Sequence, residues 1–271
     1  MHTAEREILL PGDLARVSPD GSFVLSAPYS NDPQGSRAEY QHTVIWNTTD
    51  RKTRCSRACP EPGISWAEVS PDSKLIASFG INGSLEVWNA GSGIREHEIN
   101  LPMCCIQKAI FSPDCKHIAV LVHHNATRSI DVYELAMGIK VSSFCGLVGE
   151  ANSVAWSPSA DLLAMCASKG TVHLWDPASG TERMRWKLRS LHMYAEEAHN
   201  IRFLNDGKKL VFSTSYGATC AYPFTSLVSH EFCGSFTGQL CHPTVWSSDG
   251  TSFVVLDRKS LMFWAPGWGN M

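Results

Sequence analysis

Residues Arg183-Met184-Arg185-Trp186-Lys187-Leu188-Arg189 alternate cation and apolar side chain without a break. In an extended strand successive side chains point to opposite faces. Arg183, Arg185, Lys187 and Arg189 are therefore expected on one face and Met184, Trp186 and Leu188 on the other. Such a row of cations can hold the phosphates of an acidic peptide, a phosphoinositide head group or a nucleic acid. It can equally keep an outer strand from pairing with a foreign sheet, because Lys and Arg on edges oppose aggregation. Arg51, Lys52, Arg54 and Arg57 form a less regular cluster open to the same two readings.

Other chemistry is sparse. Cys55-x3-Cys59 lacks a second Cys or His pair at zinc-site spacing, so no metal is expected. His123-His124-Asn125 reads as a solvated hairpin turn, and His173 as a satisfied residue within an alternating strand. There is no Gly-x-Ser-x-Gly elbow, phosphate loop or dinucleotide fingerprint. Glu68 is the one clear carboxylate on the predicted inner strands, and a single acid does not make a site. The chain is expected to hold no catalytic residue, no metal and no cofactor.

The elements that carry these residues repeat. Ser-Pro-Asp-type turns occur at Ser18-Pro19-Asp20-Gly21, Ser70-Pro71-Asp72-Ser73, Ser112-Pro113-Asp114-Cys115 and Ser157-Pro158-Ser159-Ala160. Degenerate copies follow at Asn205-Asp206-Gly207 and Ser247-Ser248-Asp249-Gly250. Their third positions are 52, 42, 45, 47 and 43 residues apart. Aromatic residues ending an alternating run, Trp46, Trp88, Tyr133, Trp175, Tyr222 and Trp264, are spaced by 42, 45, 42, 47 and 42. A fixed period in this range means one supersecondary unit copied along the chain.

The unit reads as strands. In the fourth copy Asn152–Ser157 is a short strand ended by Pro158, which cannot donate to a ladder. Leu162–Ala167 is an apolar run of strand length, Lys169-Gly170 a tight hairpin, Thr171–Trp175 a third strand and Glu182–Arg189 a fourth. The other copies give the same three-strand core, beginning at Ile64, Gln107, Asn200 and Pro243. Four antiparallel strands per unit with no helical period between them make a propeller blade, whose faces only neighbouring blades can cover. The expected fold is all-β: a β-propeller of six four-stranded antiparallel blades, occupying residues 1–271 as a single domain.

Composition fits. The chain has 271 residues, 44% hydrophobic and 18% charged, with a net charge of −3 that suggests neither a nucleic-acid binder nor an acidic tail. No apolar run approaches the roughly 18 residues of a membrane helix. Glu5, Arg6 and Glu7 stand where a secretory signal would be apolar. The expectation is a soluble protein of the cytoplasm or nucleus. Its ten cysteines are then mostly buried thiols, and its three sequons (at Asn47, Asn82 and Asn125) carry no glycan.

The chain resembles the WD-repeat β-propeller family. The residues that carry the resemblance are Val44-Ile45-Trp46-Asn47, Leu85-Glu86-Val87-Trp88-Asn89 and Thr171-Val172-His173-Leu174-Trp175-Asp176, with the Ser-Pro-Asp turns. Only Asp176 completes the Trp-Asp dipeptide; Asn47, Asn89, Glu134, Pro223 and Ala265 replace it elsewhere. The Gly-His dipeptide and the Asp before the third strand are missing, so the family's buried His-Asp-Ser-Trp networks are expected to be absent. Glu5–Leu10 is expected to supply the outer strand of the sixth blade and close the ring; the alternative is an incomplete ring or a fragment of a seven-bladed one.

The resemblance implies a non-catalytic scaffold or adaptor, offering a propeller rim to partner proteins within a multiprotein complex. Two enlarged loops fall on that rim. Tyr29–His42 contributes Tyr29, Arg37 and Tyr40; Leu191–His199 contributes His192, Met193 and Tyr194 beside Glu196 and Glu197. The alternative is a binder of acidic ligands or phosphoinositide head groups through Arg183, Arg185, Lys187 and Arg189, with weak contact to anionic surfaces. The Phe-Arg-Arg-Gly run of phosphoinositide-binding propellers is absent. A hydrolase is a further alternative. No nucleic acid and no membrane span are expected.

Overall fold

The computed structural model describes residues 14–27, 42–58, 64–80, 83–101, 105–124, 127–145, 151–167, 171–187, 198–203, 207, 209–214, 219–223, 244–246, 253–257 and 260–264. Every regular element among them is a strand. No helix among these residues is long and apolar enough to cross a membrane.

Four sheets have four strands each. The first contains β1 (Leu14–Val17), β2 (Phe23–Ala27), β3 (His42–Asn47) and β4 (Thr53–Ala58). The second contains β5 (Ile64–Val69), β6 (Leu75–Gly80), β7 (Ser84–Asn89) and β8 (Arg95–Asn100). The third contains β9 (Cys105–Phe111), β10 (His117–His124), β11 (Thr127–Glu134) and β12 (Ile139–Cys145). The fourth contains β13 (Ala151–Trp156), β14 (Leu163–Ala167), β15 (Thr171–Asp176) and β16 (Thr181–Lys187). Two sheets show three strands among the described residues. They are β17 (Ala198–Phe203), β18 (Lys209–Thr214) and β19 (Thr219–Pro223), then β20 (Thr244–Trp246), β21 (Phe253–Asp257) and β22 (Ser260–Trp264). Strands neighbouring in sequence pair in each sheet. The closing strand expected at Glu5–Leu10 lies outside the described residues.

The turns explain why strands start and stop where they do. Ser18 Oγ accepts the Phe23 N–H at 3.0 Å and donates to Asp20 Oδ1 at 2.7 Å, while Asp20 Oδ1 also accepts the Ser22 N–H at 2.9 Å. The same clasp recurs at Ser70 and Asp72, where the hydroxyl donates at 2.6 Å and accepts from Leu75 N–H at 2.9 Å. It recurs at Ser112 and Asp114, at 2.5 Å, with His117 N–H donating at 2.9 Å. The fourth turn has Ser159 at the Asp position, and its carboxylate arrives from Asp161 instead, accepting from Ser157 Oγ at 2.7 Å. The fourth residue of each turn is left-handed: Gly21 at φ 70°, Ser73 at 61°, Cys115 at 56° and Ala160 at 60°. Only the first is a glycine, so three side chains sit where a Cβ is disfavoured.

Each four-stranded sheet has a bulge between its third and fourth strands, immediately before the strand-ending aromatic. The shifts fall at Ile45/Trp46, Val87/Trp88, Val132/Tyr133 and Leu174/Trp175. A bulge sharpens the local twist, so the aromatic also marks where each outer strand turns away from its neighbour.

The described residues fall into two compact units on either side of the Phe111–Ser112 bond. In the first, Phe23, Leu25, Ala27 and Ile45 pack with Ile64, Ala67, Val69, Ile76, Trp88 and Ala90 between the first and second sheets. In the second, Ala164, Cys166, Val172 and Leu174 pack with Ile201, Phe203, Leu210 and Phe212. Each fully buried Leu, Ile or Phe of this kind contributes roughly 1.5–3 kcal/mol. Central strands are covered on both faces: β14 is buried at all five positions and β7 at five of six. Outer strands are mostly exposed, as in β8 and β12.

Two expectations are corrected. His123 and His124 lie in β10 and not in a turn, paired with Arg128 and Thr127 of β11. The family's polar network is not wholly absent either. Trp46 Nε1–H donates to Ser26 Oγ at 3.0 Å, and Trp88 Nε1–H to Ser78 Oγ at 3.2 Å.

Candidate partner interface

The segments expected as enlarged loops begin after β2 and β16, and their last residues, His42 and Ala198–His199, belong to β3 and β17. By antiparallel direction, the ends of β2 and β16 are the opposite ends of their sheets from the Ser-Pro-Asp turns. Tyr29, Arg37 and Tyr40, and His192, Met193, Tyr194, Glu196 and Glu197, lie outside the described residues.

The cationic strand is partly described. Arg183 sits on the bulge, opposite no residue of β15, so the expected strict alternation is interrupted at its first cation. Its Nε donates to Asp176 Oδ2 at 3.1 Å. The Asp176 carboxyl is held down at about 2, first by the Ser179 backbone N–H and then by Arg183. Arg185 forks onto Glu182, Nε to Oε1 at 3.0 Å and Nη2 to Oε2 at 2.7 Å. That fork is the main cause of the lowered Glu182 pKa. Both arginine side chains remain more than half exposed, at 59% and 55%, yet each already faces a carboxylate of its own sheet. Lys187 ends β16 opposite Thr171; Arg189 lies outside the described residues.

Two cations of the second cluster, Arg54 and Arg57 on β4, are likewise engaged. Arg54 Nε donates to Asn47 Oδ1 at 2.8 Å, with its guanidinium 5.1 Å from the Phe23 ring centre. Arg57 Nη2 reaches both Glu86 oxygens at 3.1 Å.

Glu86 exposes a feature that sequence reading missed. The residue two before each strand-ending aromatic is Val44, Glu86, Asp131 or His173 in sheets one to four. The last three are buried polar groups tied to their own outer strand. Glu86 accepts from Arg95 Nη1 at 2.9 Å as well as from Arg57 of the preceding sheet. Asp131 accepts from Ser143 Oγ at 2.5 Å and lies 3.4 Å from Lys140 Nζ. His173 Nδ1 is 2.6 Å from Glu182 Oε1, and its ring meets Phe144 of the preceding sheet at 5.8 Å. The signal was available as a fixed offset from the aromatics, but polarity at a buried strand position declares itself only once the seam between sheets is known.

Among the described residues no group of three His, Cys, Asp or Glu is placed to hold a metal ion. Cys55 is a free thiol whose pKa burial pushes up. The described arrangement is therefore a set of sheets braced by ion pairs and hydrogen bonds between their third and outer strands.

Residues 141–176 match the family model described as WD domain, G-beta repeat. No curated protein matches the chain. The match runs from within β12 through the end of β15, and so takes the outer strand of the third sheet together with three strands of the fourth. A WD40 repeat is thus present, and the all-β chain of repeated four-stranded antiparallel sheets accords with a divergent WD-repeat family.

Proposed function

We propose that this protein is a non-catalytic scaffold of the cytoplasm or nucleus, a single propeller domain that binds partner proteins through the loops after β2 and β16. WD40 domains in general mediate protein interactions, and the observation that carries the reading here is the bracing of the sheets. Serine–aspartate clasps fix the turns at one end, and Glu86, Asp131 and His173 tie third strands to outer strands. Loops held by such a frame meet a partner with little ordering cost. The acidic-ligand reading has less support, because Arg183 and Arg185 already pair within their own sheet.

The test is affinity capture with mass spectrometry from the native cell. It compares the intact chain with one whose segments 29–41 and 191–197, which stop short of β3 and β17, are replaced by short Gly-Ser turns. Partners held by the intact chain and lost from the shortened one support the rim. An identical set from both defeats it. The Arg183→Ala/Arg185→Ala variant then tests the outer strand against anionic vesicles, where loss of a salt-sensitive affinity would revive the alternative.

A further inference from the structure

The seam between the third and fourth sheets contains three buried polar atoms without a protein partner: Ser142 Oγ, His173 Nε2 and Trp175 Nε1. Their chemistry is complementary. Glu182 is ionised under the Arg185 fork, so the His173 Nδ1–H donates to it. In that tautomer His173 presents a lone pair at Nε2, Trp175 presents an N–H, and the Ser142 hydroxyl either donates or accepts.

Their placement is complementary as well. His173 and Trp175 are two residues apart on one face of β15, at 2% and 0% exposure. The Phe144 ring touches both, at 5.8 Å and 5.5 Å between centres. Ser142 lies two residues before Phe144, and the two pair with Val132 and Ile130 on one face of β11.

The second sheet shows what is missing. There Trp88 donates to Ser78, which pairs with Glu86 across β6 and β7. In the fourth sheet Met165 occupies the Ser78 position and pairs with His173. A thioether in place of a hydroxyl leaves the Trp175 N–H with no protein acceptor.

We propose that one water molecule is bound in this seam, accepting from Trp175 Nε1–H and bonding His173 Nε2 and Ser142 Oγ. Three partners is the usual complement of a buried water, and the bridge replaces the serine that the first and second sheets use. It joins two sheets, where the direct Trp–Ser bond joins two strands of one.

The test uses the full chain labelled with nitrogen-15. The Trp175 indole resonance is assigned by Trp175→Phe, or by its contacts to the Phe144 ring if that variant does not fold. The expected result is a cross-relaxation peak between the indole proton and a long-lived water, with the His173 Nδ1–H directed at Glu182. Met165→Ser, which restores a hydroxyl at the Ser78 position, is expected to abolish the peak and move the indole proton into the range of Trp46 and Trp88. Ser142→Ala is expected to shorten the water's residence on the order of tenfold, the equivalent of one hydrogen bond. Absence of the water peak in the unaltered chain overturns the proposal. So does a through-bond coupling from Trp175 Nε1 to His173 Nε2, which would show that the two groups bond directly.

Discussion

Replacing Ser78 by Ala is expected to destabilise the protein by about 1–3 kcal/mol, the usual cost of stranding a buried donor. Ser78 Oγ accepts the Trp88 indole N–H at 3.2 Å, and the two residues are 4% and 1% exposed. Water cannot take over the lost partner without opening the sheet. Only one oxygen is removed, so the cavity adds little. With an m-value of about 3 kcal/mol/M in urea, the unfolding midpoint falls by about 0.3–1 M. The first sheet provides the comparison: Trp46 is only half-buried, so in Ser26→Ala water can reach the indole and the loss is about 0.5–1 kcal/mol. In a Trp88→Phe background, Ser78→Ala is expected to be nearly neutral, since the donor is already gone. The assay is urea unfolding followed by circular dichroism, with the indole proton shift reporting the bond itself. If Ser78→Ala costs no more than Ser26→Ala, or keeps its full cost beside Trp88→Phe, burial of this hydrogen bond is not what holds the sheet.

Other consequences follow from the turns and seams. Ala160→Gly removes a Cβ from a left-handed residue at φ 60°, and a gain of about 1 kcal/mol is expected in chemical denaturation; a loss would mean the turn is not strained. Glu86→Gln takes the carboxylate from two guanidinium groups. Arg95 is 44% exposed and Arg57 20%, so solvent screens the first and the loss of about 2–3 kcal/mol falls mainly on the second. A thermal shift as small as that of an exposed Glu96→Gln would contradict this. Asp20 is held at about 2, below its ordinary 3.8, first by the Ser22 backbone N–H and then by the Ser18 hydroxyl. Its contribution is full above about pH 4 and is lost as pH falls through about 2. Asp20→Asn should therefore lie furthest below the unaltered chain at neutral pH and meet it near pH 2; a constant gap across an acid titration would refute the clasp. Cys145 is exposed, whereas Cys166 is buried and its pKa is pushed up by burial. Maleimide labelling read by peptide mass spectrometry should modify Cys145 first and Cys166 only on unfolding, and early labelling of Cys166 would place it wrongly.

The inner three strands were legible because proline, glycine and serine–aspartate turns punctuate apolar runs of strand length, as in Leu163–Ala167 and Ser84–Asn89. Outer strands were harder. Arg95–Asn100 reads Arg-Glu-His-Glu-Ile-Asn, because a strand covered on one side by a neighbour and open on the other need not alternate. The register that aligns Ser26 and Ser78 with their tryptophans was hidden too. Hydroxyl and indole lie on different strands, so the missing His and Asp were visible in sequence while the surviving bonds were not. Asp161 shows the same blindness at short range: the carboxylate moved two positions along the turn and still reached Ser157.

The offset between the matched segment and the sheets bears on how such a chain can change length through descent. Residues 141–176 carry an outer strand for one sheet and three strands for the next. Duplicating or deleting a stretch with these limits hands every sheet at the junction a full complement of strands, because each copy brings the strand that the one before it lacks. A stretch cut at the sheet boundary would keep its own four strands but carry no bond into its neighbour beyond a loop. Copy number in this architecture can therefore drift while each sheet at an internal join keeps four strands.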